Sequence, residues 1–264
     1  MTALPPTGTK LSRFASGRSP LGLSGRWPLL ASLCVAAASL LAAPAARADA
    51  AHPTVYVLLQ LDAKANIVEK TLSDKLPGIT VKVFGTFRDF DGAAATGNPD
   101  ALLVIPALLE ARGGKKATLQ GMRGGKETEP WVLVSVDKPL DGPLAGKTIG
   151  MVDLLGRDGT NIFIAKVTKD KDFKVKRVAK VEDLVPLLEF SAAQALLVPS
   201  AMLAGFTKHS RLALKTRELP DGGQVALPAV AVLNPAAKDA VVKAFNGLDA
   251  ATKAVLGIDA WSPK

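Results

Sequence analysis

A two-lobed α/β fold is predicted for most of this 264-residue chain, each lobe a mostly parallel sheet with helices on both faces. Three observations predict it. From residue 54 onward, apolar segments of strand length alternate with segments of helical periodicity, the pattern that builds parallel sheets. After a stretch dense in Pro and Gly the pattern starts over near residue 147, so two β/α units of similar length stand in tandem. The segment carrying them has no cysteine, so apolar burial must hold it, and about 216 residues can bury enough surface for one large domain or two small lobes.

Composition sets the first 48 residues apart. They contain Lys10, Arg13, Arg18, Arg26 and Arg47 but no Asp or Glu, while all 24 acidic residues follow. Leu29 to Ala43 is an apolar run of about 15 residues, short of the roughly 20 that span a bilayer. Ala46-Arg47-Ala48 then offers the small residues that a signal peptidase accepts. Residues 1–48 are expected to be a cleaved secretory signal peptide that delivers the protein to the periplasm. Two other readings are a lipidated Cys34, where Leu33 occupies a position that wants a small residue, and an uncleaved anchor. No adjacent Arg pair lies near the apolar run, which argues against export in the folded state.

Taking this segment away changes the charge. The whole chain has 33 Lys and Arg against 24 Asp and Glu, a net +9; beyond residue 48 the balance is 28 against 24, or +4. Much of the basic character is thus targeting charge, and with so few aromatic residues to stack on bases, nucleic acid is not an expected partner. Cys34, the only cysteine, leaves with the segment, which excludes disulfides, a thiol nucleophile and a cysteine metal site.

The elements read in order as follows. Thr54 to Leu61 is a continuous apolar strand, and Lys64 to Leu76 is a helix with Ile67, Val68, Leu72 and Leu76 at helical spacing, stopped by Pro77-Gly78. Ile79 to Phe84 alternates and is rich in β-branched residues; Ala101 to Ile105 is apolar throughout, as a strand covered on both faces must be. Pro106 opens a short helix to Ala111, and strands follow at 117–120 and 131–135. Asp137 to Gly146, with Pro139, Gly142, Pro143 and Gly146, reads as a linker. Beyond it come a strand at 147–152, a Gly-rich turn at 156–160, a helix to about Thr168, a strand at 173–178 and a helix at about 181–190. A strand at 195–198, a helix at 199–205 and a strand at 211–214 complete the second unit. The loop 220–223 leads to a strand at 225–233, and an amphipathic helix at 235–256 closes the chain. These last elements are expected to cross back onto the first lobe.

Several segments resemble the two-lobed, type II periplasmic solute-binding proteins of ABC importers, nearest the phosphate, phosphite and phosphonate branch. Phe87 to Ile105 is similar to the stretch in which such proteins run a helix through a Gly-containing turn into Asp and a buried strand. Leu140 to Met151 resembles the Gly-Lys lead into their second lobe, and Gly156-Arg-Asp-Gly-Thr-Asn161 lies where they place a Ser/Thr/Gly-rich loop against an anionic ligand. That loop has fewer hydroxyls here, and the first lobe is short between Arg112 and Trp131. The resemblance implies a periplasmic-binding-protein-like fold, with lobe I at 49–136 and 224–264 and lobe II at 137–223. It also implies a monomer that captures a small anionic solute between its lobes and delivers it to an ABC permease in the inner membrane, without a cofactor. An exported ligand sensor or accessory interaction protein of the same fold is the alternative.

In open parallel sheets ligands bind beyond the C-terminal strand ends. The residues there are Gln60, Thr86, Arg88, Ser135, Val136, the 156–161 turn and Ser200. Gly159, Thr160 and Asn161 at a helix start could hold an anion through backbone N–H groups and side chains, and Arg157 or Arg88 could add a bidentate partner. Each has a plainer role: the glycines permit a turn, Thr160 or Asn161 and Ser200 cap helices, and Arg88 pairs with Asp89 or Asp91.

No catalytic or metal constellation is found. His52 and His209 lack spaced partners, and neither a Gly-x-Ser-x-Gly segment nor a phosphate-binding Lys loop is present; a hydrolase is a distant third reading. The run Lys166, Lys169, Lys171, Lys174, Lys176, Arg177 and Lys180 reads as a solvated face, or else as a docking surface for an acidic partner or membrane.

Overall fold

The computed structural model describes residues 52–60 and 63–264. The signal-peptide expectation for residues 1–48 lies outside them, and no described helix is long and apolar enough to cross a membrane. The first lobe opens with β1 (Thr54–Leu58), α1 (Ala65–Lys75), β2 (Thr80–Val83), α2 (Phe87–Thr96), β3 (Ala101–Val104), α3 (Pro106–Ala111) and β4 (Leu119–Met122). β1 pairs in parallel with β2 on one side and β3 on the other. All four residues of β3 are buried, as its unbroken apolar run requires. α1 packs Val68 and Leu72 onto the sheet, and Tyr56, Phe84 and Phe90 meet edge to face in a chain at 5.1 and 5.5 Å.

The second lobe comprises β5 (Thr128–Val136), β6 (Thr148–Val152), α4 (Gly156–Thr168), β7 (Lys174–Val178), α5 (Leu184–Glu189), β8 (Ala195–Pro199), α6 (Leu203–His209), β9 (Leu214–Glu218) and β10 (Gln224–Ala226). The chain then returns to the first lobe with β11 (Ala229–Val232), α7 (Lys238–Asn246), α8 (Ala250–Val255) and β12 (Ala260–Pro263). The sheet orders are β12-β4-β11-β3-β1-β2 and β10-β5-β8-β6-β7, with β9 also on β5. Each sheet thus receives one strand that has just crossed from the other lobe, β5 in the second and β11 in the first.

The structure departs from the sequence expectations at definite places. Both sheets are mixed rather than mostly parallel, because β5 and β11 enter antiparallel to β8 and β3. The Pro/Gly-rich 137–146 segment is a loop within the second lobe, where Arg217 donates to the carbonyls of Leu140 and Gly142. The lobe boundary instead falls before β5, at 123–127. The return crossing lies at 227–228, where Pro228 cannot continue a ladder and splits the expected 225–233 strand between the two sheets. The crossings lie side by side: Leu227 N donates to Glu127 O at 2.8 Å and Gly121 N to Pro228 O at 2.8 Å. The strand expected at 211–214 runs from 214 to 218. The long C-terminal helix is two helices broken at Gly247-Leu248, followed by β12, whose Trp261 meets Phe245 at 5.8 Å. The lysine run is spread over the end of α4, the loop after it and β7, an edge strand; Lys174 and Lys176 are exposed there, an arrangement that discourages edge-to-edge pairing.

Candidate functional site

β1, β3, β6 and β8 all end at the face between the lobes, and antiparallel β5 begins there, with Trp131 opposite Pro199. A chamber of about 340 Å³ lies at this face beside the crossings. Leu59, Ile105, Leu154, Pro199 and Met202 give it an apolar lining. Its polar wall residues are Gln60, Arg123, Glu129 and Trp131. Gln60 Nε2 donates to Met202 Sδ at 3.0 Å, so the lobes touch across the cleft. Gln60 Oε1 and Trp131 Nε1 are buried without a partner among the described residues. An orphaned buried donor or acceptor costs about 1–3 kcal/mol, so the chamber wall presents an unmet acceptor and an unmet donor.

The charged wall residues are already paired. Arg123 Nη1 lies 3.0 Å from Glu129 Oε2, and Arg123 also donates to the Gly257 carbonyl. Burial pushes the Glu129 carboxyl above the usual carboxylate range, opposed by the Arg123 charge and hydrogen bond.

The residues expected from sequence divide. Gln60 lines the chamber, and Ser200 is half-buried at the start of the turn that carries Met202 into it. Arg157 and Gly159 line a separate groove between α4 and the α2–α3 face of the first lobe. There Gly156, at φ +69°, has the Phe87 ring where a side chain would stand, 2.7 Å from an ideal Cβ, so the start of α4 abuts the first lobe. Gly156 N donates to Asp153 Oδ1 at 2.8 Å. Because the helix begins at Gly156, Thr160 and Asn161 lie in its second turn, where backbone N–H groups belong to the helical ladder. They cap nothing. Thr160 is fully buried with its hydroxyl unpartnered among the described residues, and Asn161 is exposed. Thr86 caps α2, accepting from Asp89 N and donating to Asp89 Oδ2. Arg88 is exposed and makes no ion pair among the described residues, since Asp91 is held by Arg112 and Asp89 by Thr86.

Arg123, Glu129 and Trp131 are absent from the sequence-derived site. Their position follows from the reversal of β5: in a mostly parallel sheet the strand's end, Ser135-Val136, would face the ligand, whereas the reversed strand presents its beginning. An available signal was Trp131 at a strand start, a large apolar body with one donor that seeks a partner when buried. Among the described residues no group of three or more His, Cys, Asp or Glu is placed to hold a metal ion.

No protein-family model and no curated protein matches the sequence. Solved structures do match the fold, which is that of the two-lobed, type II periplasmic binding proteins. The substrate-binding protein of an amino acid ABC transporter aligns with a TM-score of 0.53 at 15% identity, over 77% of this chain and 96% of that one. The GluR0 ligand-binding core from Nostoc punctiforme, in complex with L-glutamate, gives 0.52 at 10% identity over 77% and 95%. The Bordetella pertussis BvgS VFT2 domain gives 0.51 at 14% over 80% and 94%. The resemblance read from sequence therefore holds for the fold; the phosphate and phosphonate branch finds no support in these neighbours.

Proposed function

We propose that this chain is an exported ligand-capture protein, which closes its lobes over a small solute in the chamber beside the crossings and acts by binding alone. The observation that carries this reading is the pair of orphaned polar atoms, Gln60 Oε1 and Trp131 Nε1, among the walls of a chamber of about 340 Å³, a volume within the range of small-molecule sites. The solute is an organic molecule with an apolar body, a donor for Gln60 and an acceptor for Trp131. An inorganic anion is a poorer fit, because Arg123, the one cation on the wall among the described residues, is neutralised by Glu129. Arg157 and Arg88, the cations expected to hold an anion, do not line the chamber. Delivery to a membrane importer is the use suggested by the likeness to an amino acid ABC transporter's substrate-binding protein.

Thermal-shift titration with small amino acids, carboxylic acids, their amides and inorganic phosphate tests this, since a ligand bound to the folded state raises Tm with concentration. A member of the organic set is expected to stabilise the protein. Gln60→Ala and Trp131→Phe should each weaken its binding roughly tenfold, the worth of one buried hydrogen bond. A panel without a shift, or a shift that both variants leave intact, defeats the reading, and a response to phosphate alone restores the anion site.

A further inference from the structure

The interlobe face holds a second chamber that solute capture leaves unused. It measures about 430 Å³ and draws its walls from both lobes: Ala107 and Ala111 of α3 on one side, Phe163 and Val167 of α4 with Val225 of β10 on the other. The two chambers are neighbours. Ile105 lines the first and Pro106 the second; Leu154 and Leu155 divide likewise, and Ala226 reaches both. Trp131 on the first wall and Phe163 on the second meet edge to face at 5.2 Å.

The chemistry of the second chamber differs from that of the first. Gln224, the one side-chain amide on its wall, is engaged: its Oε1 accepts from Thr128 Oγ1 at 2.8 Å and its Nε2 donates to Gly222 O at 3.3 Å. The charged groups among its lining residues pair off, Lys166 with Glu110 across the lobes at 3.0 Å and Lys169 with Asp221 at 3.9 Å. What the walls offer an occupant is therefore apolar surface, with no unpaired charge among the described residues to recruit an ion. Ile162, also a lining residue, is 69% exposed, an apolar side chain left in water that an occupant would cover.

We propose that this chamber is a second binding site, for a small apolar organic molecule, aromatic or branched aliphatic, that carries at most one charge. The assignment is independent of the solute reading, because none of its arguments uses Gln60 or Trp131 as a hydrogen-bonding group. Since the walls belong to different lobes, an occupant favours the closed arrangement over any in which the lobes separate.

The test is a titration of the full chain with 8-anilinonaphthalene-1-sulfonate, with indole and the branched 4-methylpentanoate as competitors. Saturable one-to-one binding is expected, displaced by at least one of the two competitors. Ala111→Trp fills the chamber and Ile162→Glu sets a carboxylate at an exposed lining position; both positions are exposed, so both variants should fold with unchanged circular dichroism. Each is expected to weaken the dye by roughly tenfold or more, while Gln60→Ala, which removes one contact between the lobes and no wall of this chamber, weakens it by less than about twofold. The proposal is overturned if no saturable binding appears, if both variants bind as tightly as the parent, or if Gln60→Ala abolishes binding and so moves the dye to the first chamber.

Discussion

Asp249 shows how much one exposed carboxylate can organise. Its Oδ1 accepts from Thr252 N at 2.8 Å, capping α8, and its Oδ2 lies 2.8 Å from Lys75 Nζ on α1. The Lys75 hydrogen bond, followed by those from Thr252, holds the carboxyl well below the usual carboxylate range. A folded-state pKa below the unfolded one means that the stabilisation is present above about pH 4 and is lost as pH falls through the folded value. Asp249→Asn keeps an acceptor at the cap but cannot ionise, so its Tm should decline less steeply than the parent's below about pH 4. Thermal melts across that range check this, and the difference should shrink in high salt because both partners are about half exposed. Glu129 has the opposite sign: its carboxyl is pushed up by burial, so its share of stability is present at low pH and lost as pH rises through the folded value. Sequence could indicate neither shift, because each depends on a partner or a degree of burial fixed only by the fold. Gln60 was legible as a residue at a strand end, whereas its orphaned oxygen is a property of packing.

At the scale of elements, strand and helix existence was largely legible and connection was not. The apolar runs of β1, β3 and β8 declare buried strands whatever their neighbours. By contrast, the Gly and Pro residues of 137–146 look the same in a loop as in a linker, and hydrogen bonds from Arg217 decide the matter. The 220–223 loop is similar: it reads as a turn, yet it is the bulge that separates β9 from β10 along one side of β5. Gly223 sits there at φ +57°, and a Cβ would lie 2.4 Å from the Trp131 carbonyl oxygen. Gly223→Ala meets both a left-handed backbone and a main-chain clash, neither of which a side-chain rotation relieves. A loss of about 1–3 kcal/mol is expected, read as a lower denaturant midpoint. Because the clash is with Trp131, affinity for the solute of the first chamber should fall as well. An unchanged midpoint would mean that the bulge moves freely and does not position β5.

For the whole molecule, the decisive property is that the lobes meet face to face and not only through their crossings. Gln60 touches Met202, Phe87 covers Gly156, and Lys166 reaches Glu110. The last pair is exposed on both sides and adds little, so apolar contact does most of the holding. An ideal Cβ on Gly159 of α4 would stand 3.9 Å from Ala111 Cβ of α3, inside the separation at which two cysteines can join. Ala111→Cys with Gly159→Cys, in a background where Cys34 is replaced by Ser, should therefore form a disulfide between the lobes. Leu155 Cβ, 3.0 Å from the same position, has to yield by a few tenths of an ångström. Oxidation should stabilise the fold by about 2–4 kcal/mol and slow entry of solute into the first chamber, with reduction restoring both. Non-reducing electrophoresis shows whether the bond forms, and the association rate of the stabilising solute shows what it blocks. A bond that forms and raises Tm without slowing association would place the solute's path elsewhere than between the lobes, and lobe opening would then have no part in capture.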